Sequence, residues 1–140
     1  MPHKFQWSLY LTLASKLSSL ALTEQTLNTS ELMSNNSIKE AYYRAAISRA
    51  YYAAFCSARN YLRDTLNLRI PLENTHNFVI NEFKERWDIK NSRTISNTLY
   101  TLRKDRNNAD YDDNPIRNVD STATRVMRDS QKIVELINQL

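Results

Sequence analysis

The sequence predicts an all-α protein, an up-and-down bundle of about five helices. The 140 residues contain no glycine and three prolines, so few positions suit hairpin turns or phosphate-binding loops. Five segments repeat apolar residues at helical spacing, and none alternates with the period of two that marks a half-buried strand. A chain of this length buries one hydrophobic core. We therefore expect residues 1–140 to form a single helical domain.

The first predicted helix covers Phe5 to about Leu20. An apolar stretch after Lys4 has some likeness to a signal peptide. The leucines nevertheless continue at helical spacing past Lys16, which favours an amphipathic core helix. The stripe expected to face the bundle is Leu9, Leu13, Leu17 and Leu20.

The next segment, residues 23–36, is rich in Thr, Ser and Asn. It is compatible with a loop, a short helix or an extension of the first helix, and the sequence does not decide between them. Here and elsewhere, no apolar run approaches the ~20 residues that cross a bilayer.

The central helix is predicted from Ala41 to Leu66, about 26 residues and 39 Å long at 1.5 Å per residue. Ser37 and Glu40 have the spacing of a capping box, which places the helix start there. One face combines small and apolar residues and allows close helix packing. Its members are Tyr43, Ile47, Ala50, Ala54, Ala58 and Tyr61.

The opposite side of this helix mixes basic and aromatic residues. Two interpretations stay open for it: arginines that extend their charged heads into solvent, or the wall of an aromatic-basic groove or subunit interface. The residues are Arg44, Ser48, Tyr52, Phe55, Arg59 and Arg63.

Residues 67–74, which include Pro71, are expected to connect the central helix to a third helix capped by Asn74 or Thr75. The apolar face of the third helix is His76, Val79, Ile80, Phe83 and Trp87. Residues 88–91 interrupt the pattern.

The fourth helix is predicted from about Ser92 and ends at residues 112–115, because Pro115 disfavours helical backbone in the residue before it. The last helix spans roughly Asn118 to Asn138. Its apolar stripe is Val119, Ala123, Val126, Ile133, Ile137 and Leu140.

The fourth helix places an arginine on its own apolar stripe, which reads Ile95, Leu99, Leu102, Arg106 and Ala109. A charge on the buried or interfacial side needs a partner. Asp110 lies one turn further on and is the expected partner of Arg106. The structural interpretation is an ion pair that seals the end of the bundle.

Charge and cysteine content narrow the functional classes. Nineteen Lys and Arg against 15 Asp and Glu give a net charge of +4, which favours polyanionic partners but is modest for a dedicated nucleic-acid binder. Cys56 is the single cysteine, so a disulfide framework and a cysteine-based zinc site are excluded, and a reducing cytoplasm is expected. No carboxylate or histidine pair recurs at metal-ligand spacing, and no metal or other cofactor is predicted.

Three motifs together resemble the HEPN superfamily, in its branch whose motif ends in Ala-Asp-Tyr. They are Ser-Arg-Ala-Tyr-Tyr-Ala-Ala-Phe at residues 48–55, Thr-His at 75–76 and Leu-Arg-x-x-Arg-Asn-x-Ala-Asp-Tyr at 102–111. The resemblance implies a helical bundle, usually a homodimer, from bacterial and archaeal toxin–antitoxin and defence systems. Members often occur beside a small nucleotidyltransferase, the antitoxin partner expected here, and many are metal-independent endoribonucleases.

Ribonucleases of this superfamily carry an arginine, a polar residue and then a histidine four to six positions after the arginine. Arg106 and Asn107 match the first part, but Asp110 and Tyr111 stand where the histidine belongs. Cleavage through the 2′-OH needs a general acid or base that titrates near neutral pH. An aspartate paired with arginine titrates far lower and tyrosine far higher.

The candidate catalytic residues are therefore Arg106, Asn107, Asp110 and Tyr111. His76 is the further candidate if it reaches Arg106 across the bundle, and the alternative for it is a hydrogen-bonded core histidine. The candidate RNA-binding residues are Arg44, Arg49, Tyr52, Arg59 and Arg103.

Two functional hypotheses follow. The first is an RNA-directed HEPN protein, either a divergent metal-independent endoribonuclease or a protein that binds RNA or nucleotide without cleavage. The second is a non-catalytic module that dimerises or docks to a nucleotidyltransferase or another defence protein. The missing histidine favours a protein that does not catalyse cleavage, and the family resemblance and the basic-aromatic face favour RNA as the partner.

Overall fold

The structure is a computed structural model that describes residues 4–24 and 29–140, with side chains from residue 38 onward in the second segment. Five α-helices follow one another: Leu9–Thr23 (α1), Thr29–Asn60 (α2), Thr75–Glu85 (α3), Ser92–Tyr111 (α4) and Val119–Asn138 (α5). A π-helical turn, Tyr61–Thr65, extends α2. No strand occurs in these residues, and the predicted all-α fold is confirmed.

Helix α2 is the centre of the bundle, since α1, α4 and α5 all pack on it, while α3 packs mainly on α4. Most of its predicted apolar face is buried, and only Tyr61, in the π-helical turn, is half-buried. Ala46, Ile47, Ala50, Tyr51, Ala54 and Ala58 each have 0% exposure. None of the helices in the described ranges has an apolar stretch long enough to cross a bilayer.

The predicted start of α2 was wrong. The helix begins at Thr29, so Ser37 lies inside it and not at a capping position. Glu31, Leu32 and Met33 are good helix formers, and the polar residues after them cost only a few tenths of a kcal/mol each in a helix without Gly or Pro. Of the segment left open by the sequence, residues 29–36 belong to α2, and residues 25–28 lie outside the described residues. The predicted end at Leu66 is one residue beyond the π-helical turn.

Helix α1 also differs from its prediction. It begins at Leu9 and not at Phe5. Of the predicted leucine stripe, Leu17 packs against the core, but Leu9, Leu13 and Leu20 are 51%, 40% and 47% exposed. Ala14 and Ala21 are buried in their place. Alanines let α1 approach the alanine-rich face of α2 more closely than leucines would.

The remaining helices lie close to their predicted limits, with two errors in their apolar stripes. Trp87 lies beyond the end of α3 and is 90% exposed, and Leu140 lies beyond α5 and is 39% exposed. Both residues continue a helical spacing past the point where the helix has ended. The connection over residues 67–74 and the end of α4 before Asp112 are as predicted.

Within residues 4–24 and 29–140, four asparagines occupy the left-handed region of backbone space, at φ values of 53° to 61°. Asn74, Asn91 and Asn118 directly precede α3, α4 and α5, and none of the three caps its helix through the side chain. Asn74 thus occupies the predicted N-cap position, but only its backbone carbonyl takes part, as the acceptor from the Phe78 N–H. Asparagine adopts this conformation at a lower cost than other non-glycine residues.

Candidate functional site

Arg106 is the centre of the polar cluster at the end of α4. Its guanidinium donates from Nε to Asp110 Oδ2 over 2.8 Å, from Nη1 to Asn107 Oδ1 over 3.1 Å and from Nη2 to the Tyr52 hydroxyl. The Arg106 side chain is 12% exposed and that of Asp110 25%. The arginine on the apolar stripe therefore has the ion-pair partner that its position required.

Aromatic rings surround the same guanidinium. Its central carbon lies 4.9 Å from the centroid of the Tyr52 ring, 5.6 Å from that of Tyr111 and 5.9 Å from that of Tyr51. Its three hydrogen bonds use three of the five N–H donors of a guanidinium. The other two donors have no hydrogen-bond partner among the described residues, and the ring of Tyr111, which is 71% exposed, lies next to the guanidinium.

A hydrogen-bonded chain links Arg106 to α2. Ser48 donates from its hydroxyl to Asp110 Oδ2 over 3.2 Å, and Arg49 donates from Nη2 to the Ser48 oxygen over 3.2 Å. Asp110 therefore accepts from two residues, one on each helix. This arrangement fixes the carboxylate and, through it, the plane of the Arg106 guanidinium.

His76 reaches this cluster from the first turn of α3. Its Nδ1 is hydrogen-bonded to the Tyr51 hydroxyl at 2.6 Å, and its ring stacks on Phe55 with centroids 4.1 Å apart. Burial, followed by the positive charges of Arg103, Arg106 and Arg59, lowers the pKa of His76 to about 4. The imidazole is therefore neutral at pH 7.

Tyr51 and Arg103 complete the cluster. Burial raises the pKa of Tyr51, so its hydroxyl keeps its proton at neutral pH. Arg103 donates from Nη1 to Asn77 Oδ1 and so connects α4 to the start of α3. The site is assembled from one end of α4, the first turn of α3 and the middle of α2.

Arg44 lies in a different environment from the other predicted RNA-binding residues. Its guanidinium donates to the backbone oxygens of four residues at and just beyond the end of α4 and to the Glu40 carboxylate, at 2.7 to 3.3 Å. The carbonyls belong to Asn108, Ala109, Asp112 and Asn114. Arg44 therefore caps the C-terminus of α4, where cations complement the helix dipole.

The other basic residues of α2 divide into two groups. Arg49, Arg59 and Tyr52 line a cavity together with Trp7 and Tyr10 from the start of the chain. Arg63 is solvent-exposed beyond α2 and pairs with Asp64. Both interpretations of the basic-aromatic face thus have an example, Arg63 extending into solvent and Arg49 with Arg59 forming a groove wall.

The sequence reasoning did not identify Tyr51, Asn77, Trp7 or Tyr10 as site residues. Tyr51 lies four residues after Ile47 on the buried face, which is the signal of a core residue, and its hydroxyl contact with His76 has no pattern in the sequence. Asn77 had one available signal, its position next to His76. In the described ranges no group of three His, Cys, Asp or Glu side chains is arranged to hold a metal.

Comparison with known proteins gives one match. A family model described as the HEPN domain matches residues 22–140, which include all of α2 to α5. No curated protein and no solved structure matches the chain. HEPN domains are generally associated with ribonucleases and defence systems, and they commonly dimerise. Since the match extends over far more than half of its length, this chain belongs to the HEPN domain family.

Proposed function

We propose that this HEPN protein binds RNA at the Arg106 cluster and cleaves it without a metal ion, with His76 acting in place of the missing histidine. One observation carries the proposal. His76 and Arg106 come from different helices, yet both contact the adjacent rings of Tyr51 and Tyr52. The cluster thus combines an imidazole that is unprotonated at pH 7 with a guanidinium that keeps two donors for phosphate. A phosphate bound there would offset the positive charges of Arg103 and Arg106 and raise the pKa of His76 from about 4 towards the neutral range that a general base requires.

The reaction is an internal transfer at phosphorus. The imidazole takes the proton of the 2′-OH, the 2′ oxygen bonds to phosphorus, and the bond from phosphorus to the 5′ oxygen breaks. The leaving oxygen takes a proton from the imidazolium so formed or from water. The products are a 2′,3′-cyclic phosphate and a free 5′-OH. Arg106 stabilises the charge that develops on the phosphoryl oxygens.

The hydrogen bond to Tyr51 occupies Nδ1 of His76 and leaves Nε2 as the nitrogen that can act as the base. In the neutral imidazole one nitrogen donates and the other accepts. If Nδ1–H donates to the Tyr51 oxygen, then Nε2 carries the lone pair that removes the proton. Tyr51 is therefore a positioning residue for His76 in this mechanism.

RNA binding in this proposal uses the residues around Arg106. The two remaining donors of Arg106 bind phosphate, Arg103 adds a second positive charge, and the exposed ring of Tyr111 stacks on a base. Asp110 and Asn107 hold Arg106 in place and do not contact the reacting atoms. Arg44 is left out of the binding surface, because backbone carbonyls and Glu40 accept its hydrogen bonds.

The decisive experiment incubates single-stranded RNA with the purified protein in EDTA, because the proposed route uses no metal. We expect cleavage to products with 2′,3′-cyclic phosphate ends, and a rate lower by about 100-fold or more for His76→Gln. Arg93→Gln is the matched control, an exposed arginine on α4 roughly 20 Å along the helix from Arg106. No cleavage by the parent protein, or equal cleavage by His76→Gln, would overturn the assignment.

The biological setting that we propose is a toxin–antitoxin or defence system, in which a small nucleotidyltransferase is the antitoxin partner. The general association of HEPN domains with defence supports this setting. Expression in a bacterial host should then arrest growth, and His76→Gln should relieve the arrest at the same protein level. If the parent protein cleaves RNA in vitro but does not slow growth when expressed at a comparable concentration, the proposed toxin role is contradicted.

A second candidate function, a dimerisation or docking module, has one observation in its favour. The outward side of α1 and the residues before it expose an apolar stripe of Phe5, Leu9, Leu13 and Leu20, each at least 40% exposed. We propose that a second copy of the chain covers it. Light scattering at micromolar concentration should report a dimer that Leu13→Glu dissociates. A mass of 16.4 kDa for the parent protein would contradict this.

A further inference from the structure

The cavity lined by Arg49 and Arg59 has a volume of about 240 Å³ and lies next to the Arg106 cluster. We call it the aromatic pocket. The turn before α1 and the first residues of α1 form one side, and α2 forms the other. Its wall is made of Trp7, Tyr10, Arg49, Tyr52, Phe55 and Arg59.

The two arginines of the aromatic pocket lie against aromatic rings. The guanidinium carbon of Arg49 is 5.0 Å from the Tyr10 centroid and 5.1 Å from that of Tyr52, and that of Arg59 is 5.5 Å from the Trp7 centroid. Both residues are half-buried. Each ring stabilises the charge in part.

In their partners, these arginines differ from four of the other five half-buried arginines that the structure describes; the fifth, Arg103, donates to the neutral Asn77 amide oxygen. Among the described residues, the ion pairs include Arg44, Arg86, Arg106 and Arg125 but neither Arg49 nor Arg59. Their hydrogen bonds go to neutral oxygens, of Ser48 and of Asn60. Two partly desolvated guanidiniums without a carboxylate make the pocket complementary to an anion.

The aromatic residues add a preference for a flat ring. Trp7 and Tyr10 are held edge to face with centroids 5.5 Å apart, and Phe5 packs edge-on against both. This mutual packing fixes the rings at 84° to each other, so a base can stack on one of them and contact the other with its edge, with little loss of side-chain entropy. At about 240 Å³, the cavity is smaller than the ~300–1,000 Å³ of drug-sized ligand sites. One base fits inside, with its sugar and phosphate at the rim.

We infer that the aromatic pocket is a nucleotide subsite, which takes one base against Trp7 and Tyr10 and the attached phosphate on Arg49 and Arg59. Tyr52 joins it to the Arg106 cluster, because the guanidiniums of Arg49 and Arg106 lie 5.1 Å and 4.9 Å from the centroid of its ring. The pocket holds a nucleotide close to the scissile phosphate. The assignment of RNA as its ligand rests on the proposed function.

The test uses the fluorescence of Trp7. The chain has two tryptophans, so Trp87→Phe leaves Trp7 as the reporter. Titration of this protein with adenosine 5′-monophosphate should give a saturable change in emission. Adenosine and inorganic phosphate should each bind at least about tenfold more weakly, because each lacks half of the contacts. The double variant Arg49→Gln, Arg59→Gln should weaken nucleotide binding by about tenfold or more, while the control Arg128→Gln on α5 should not.

The outcomes separate this inference from the proposed function. No saturable change, or equal binding of phosphate and nucleotide, would overturn the subsite even if RNA is cleaved in EDTA. The protein could instead bind nucleotide, lose that binding in the double variant Arg49→Gln, Arg59→Gln, and cleave no RNA. This result would support the subsite and overturn the proposed cleavage. Loss of binding in Arg128→Gln to the same extent would also overturn the subsite.

Discussion

Arg44 and Arg106 are both largely shielded from solvent, and each pairs with a carboxylate one helical turn away, yet their surroundings differ. The side chains are 18% and 12% exposed, and the partners are Glu40 and Asp110. Arg44 otherwise donates to backbone carbonyls at the end of α4. Arg106 otherwise donates to the side chains of Asn107 and Tyr52 and lies among tyrosine rings.

The difference indicates separate roles for the two residues. Backbone carbonyls at a helix end need a donor in the folded protein, so the contacts of Arg44 contribute to stability. The Tyr52 hydroxyl and the Asn107 amide, by contrast, can form hydrogen bonds with water if Arg106 is removed. The contacts of Arg106 orient its guanidinium, and that orientation matters most to a bound anion.

The largest effect that we expect is on catalysis by Arg106→Met. Loss of the cation that stabilises the developing phosphoryl charge should lower the RNA cleavage rate by about 100- to 1,000-fold. The free energy of unfolding should fall by only about 1–2 kcal/mol, because Asp110 keeps its hydrogen bond from Ser48 and water can replace Arg106 as the partner of Asn107 and Tyr52. Cleavage assays and urea unfolding measure the two quantities. A large loss of stability with unchanged activity would assign Arg106 the structural role of Arg44.

Arg44→Met should give the reverse result. Five hydrogen bonds from its guanidinium disappear, and the free energy of unfolding should fall by about 3 kcal/mol. Activity per folded molecule, measured well below the melting temperature, should be unchanged. Arg93→Met is the control for a lost exposed arginine on α4. A cleavage defect in folded Arg44→Met would return this residue to the RNA-binding surface.

The last expected effect, which is absent at neutral pH, is a pH dependence of stability due to His76. Its pKa in the folded protein is about 4, below the ordinary 6.5. Between these values the unfolded chain binds a proton that the folded protein does not, so the free energy of unfolding falls as the pH drops from 6.5 to 4. Thermal unfolding of His76→Gln should show a shallower decline over this range. Parallel curves for the two proteins would show that His76 has an ordinary pKa.

The fold was predictable because its signals are local. The absence of glycine, the alanine-rich face of α2 and the stop at Pro115 each act through propensity or periodicity. The errors arose where two local sequence patterns predicted different structures for the same residues. The capping-box spacing at Ser37 lies within a helix that continues through it, and leucines and alanines on α1 have equally good helical spacing.

The candidate site was predictable in part for the same reason. Arg106, Asn107 and Asp110 are neighbours on one helix, and the spacing of three or four residues identifies them. The hydrogen bond between Tyr51 and His76 joins residues 25 positions apart. It depends on how α3 returns to α2, and no pattern within either helix contains that information. The aromatic pocket likewise depends on the path of the chain before α1.

The four left-handed asparagines in a chain without glycine have a consequence for the unfolded state. Glycine at Asn67, Asn74, Asn91 and Asn118 would adopt the same backbone angles with less strain in the folded protein. It would also give the unfolded chain more conformations at each position, an entropy difference worth about 0.4–1 kcal/mol per site. By using asparagine at these positions the sequence restricts its denatured ensemble. Part of the stability of this bundle therefore originates in the unfolded chain and corresponds to no contact between its helices.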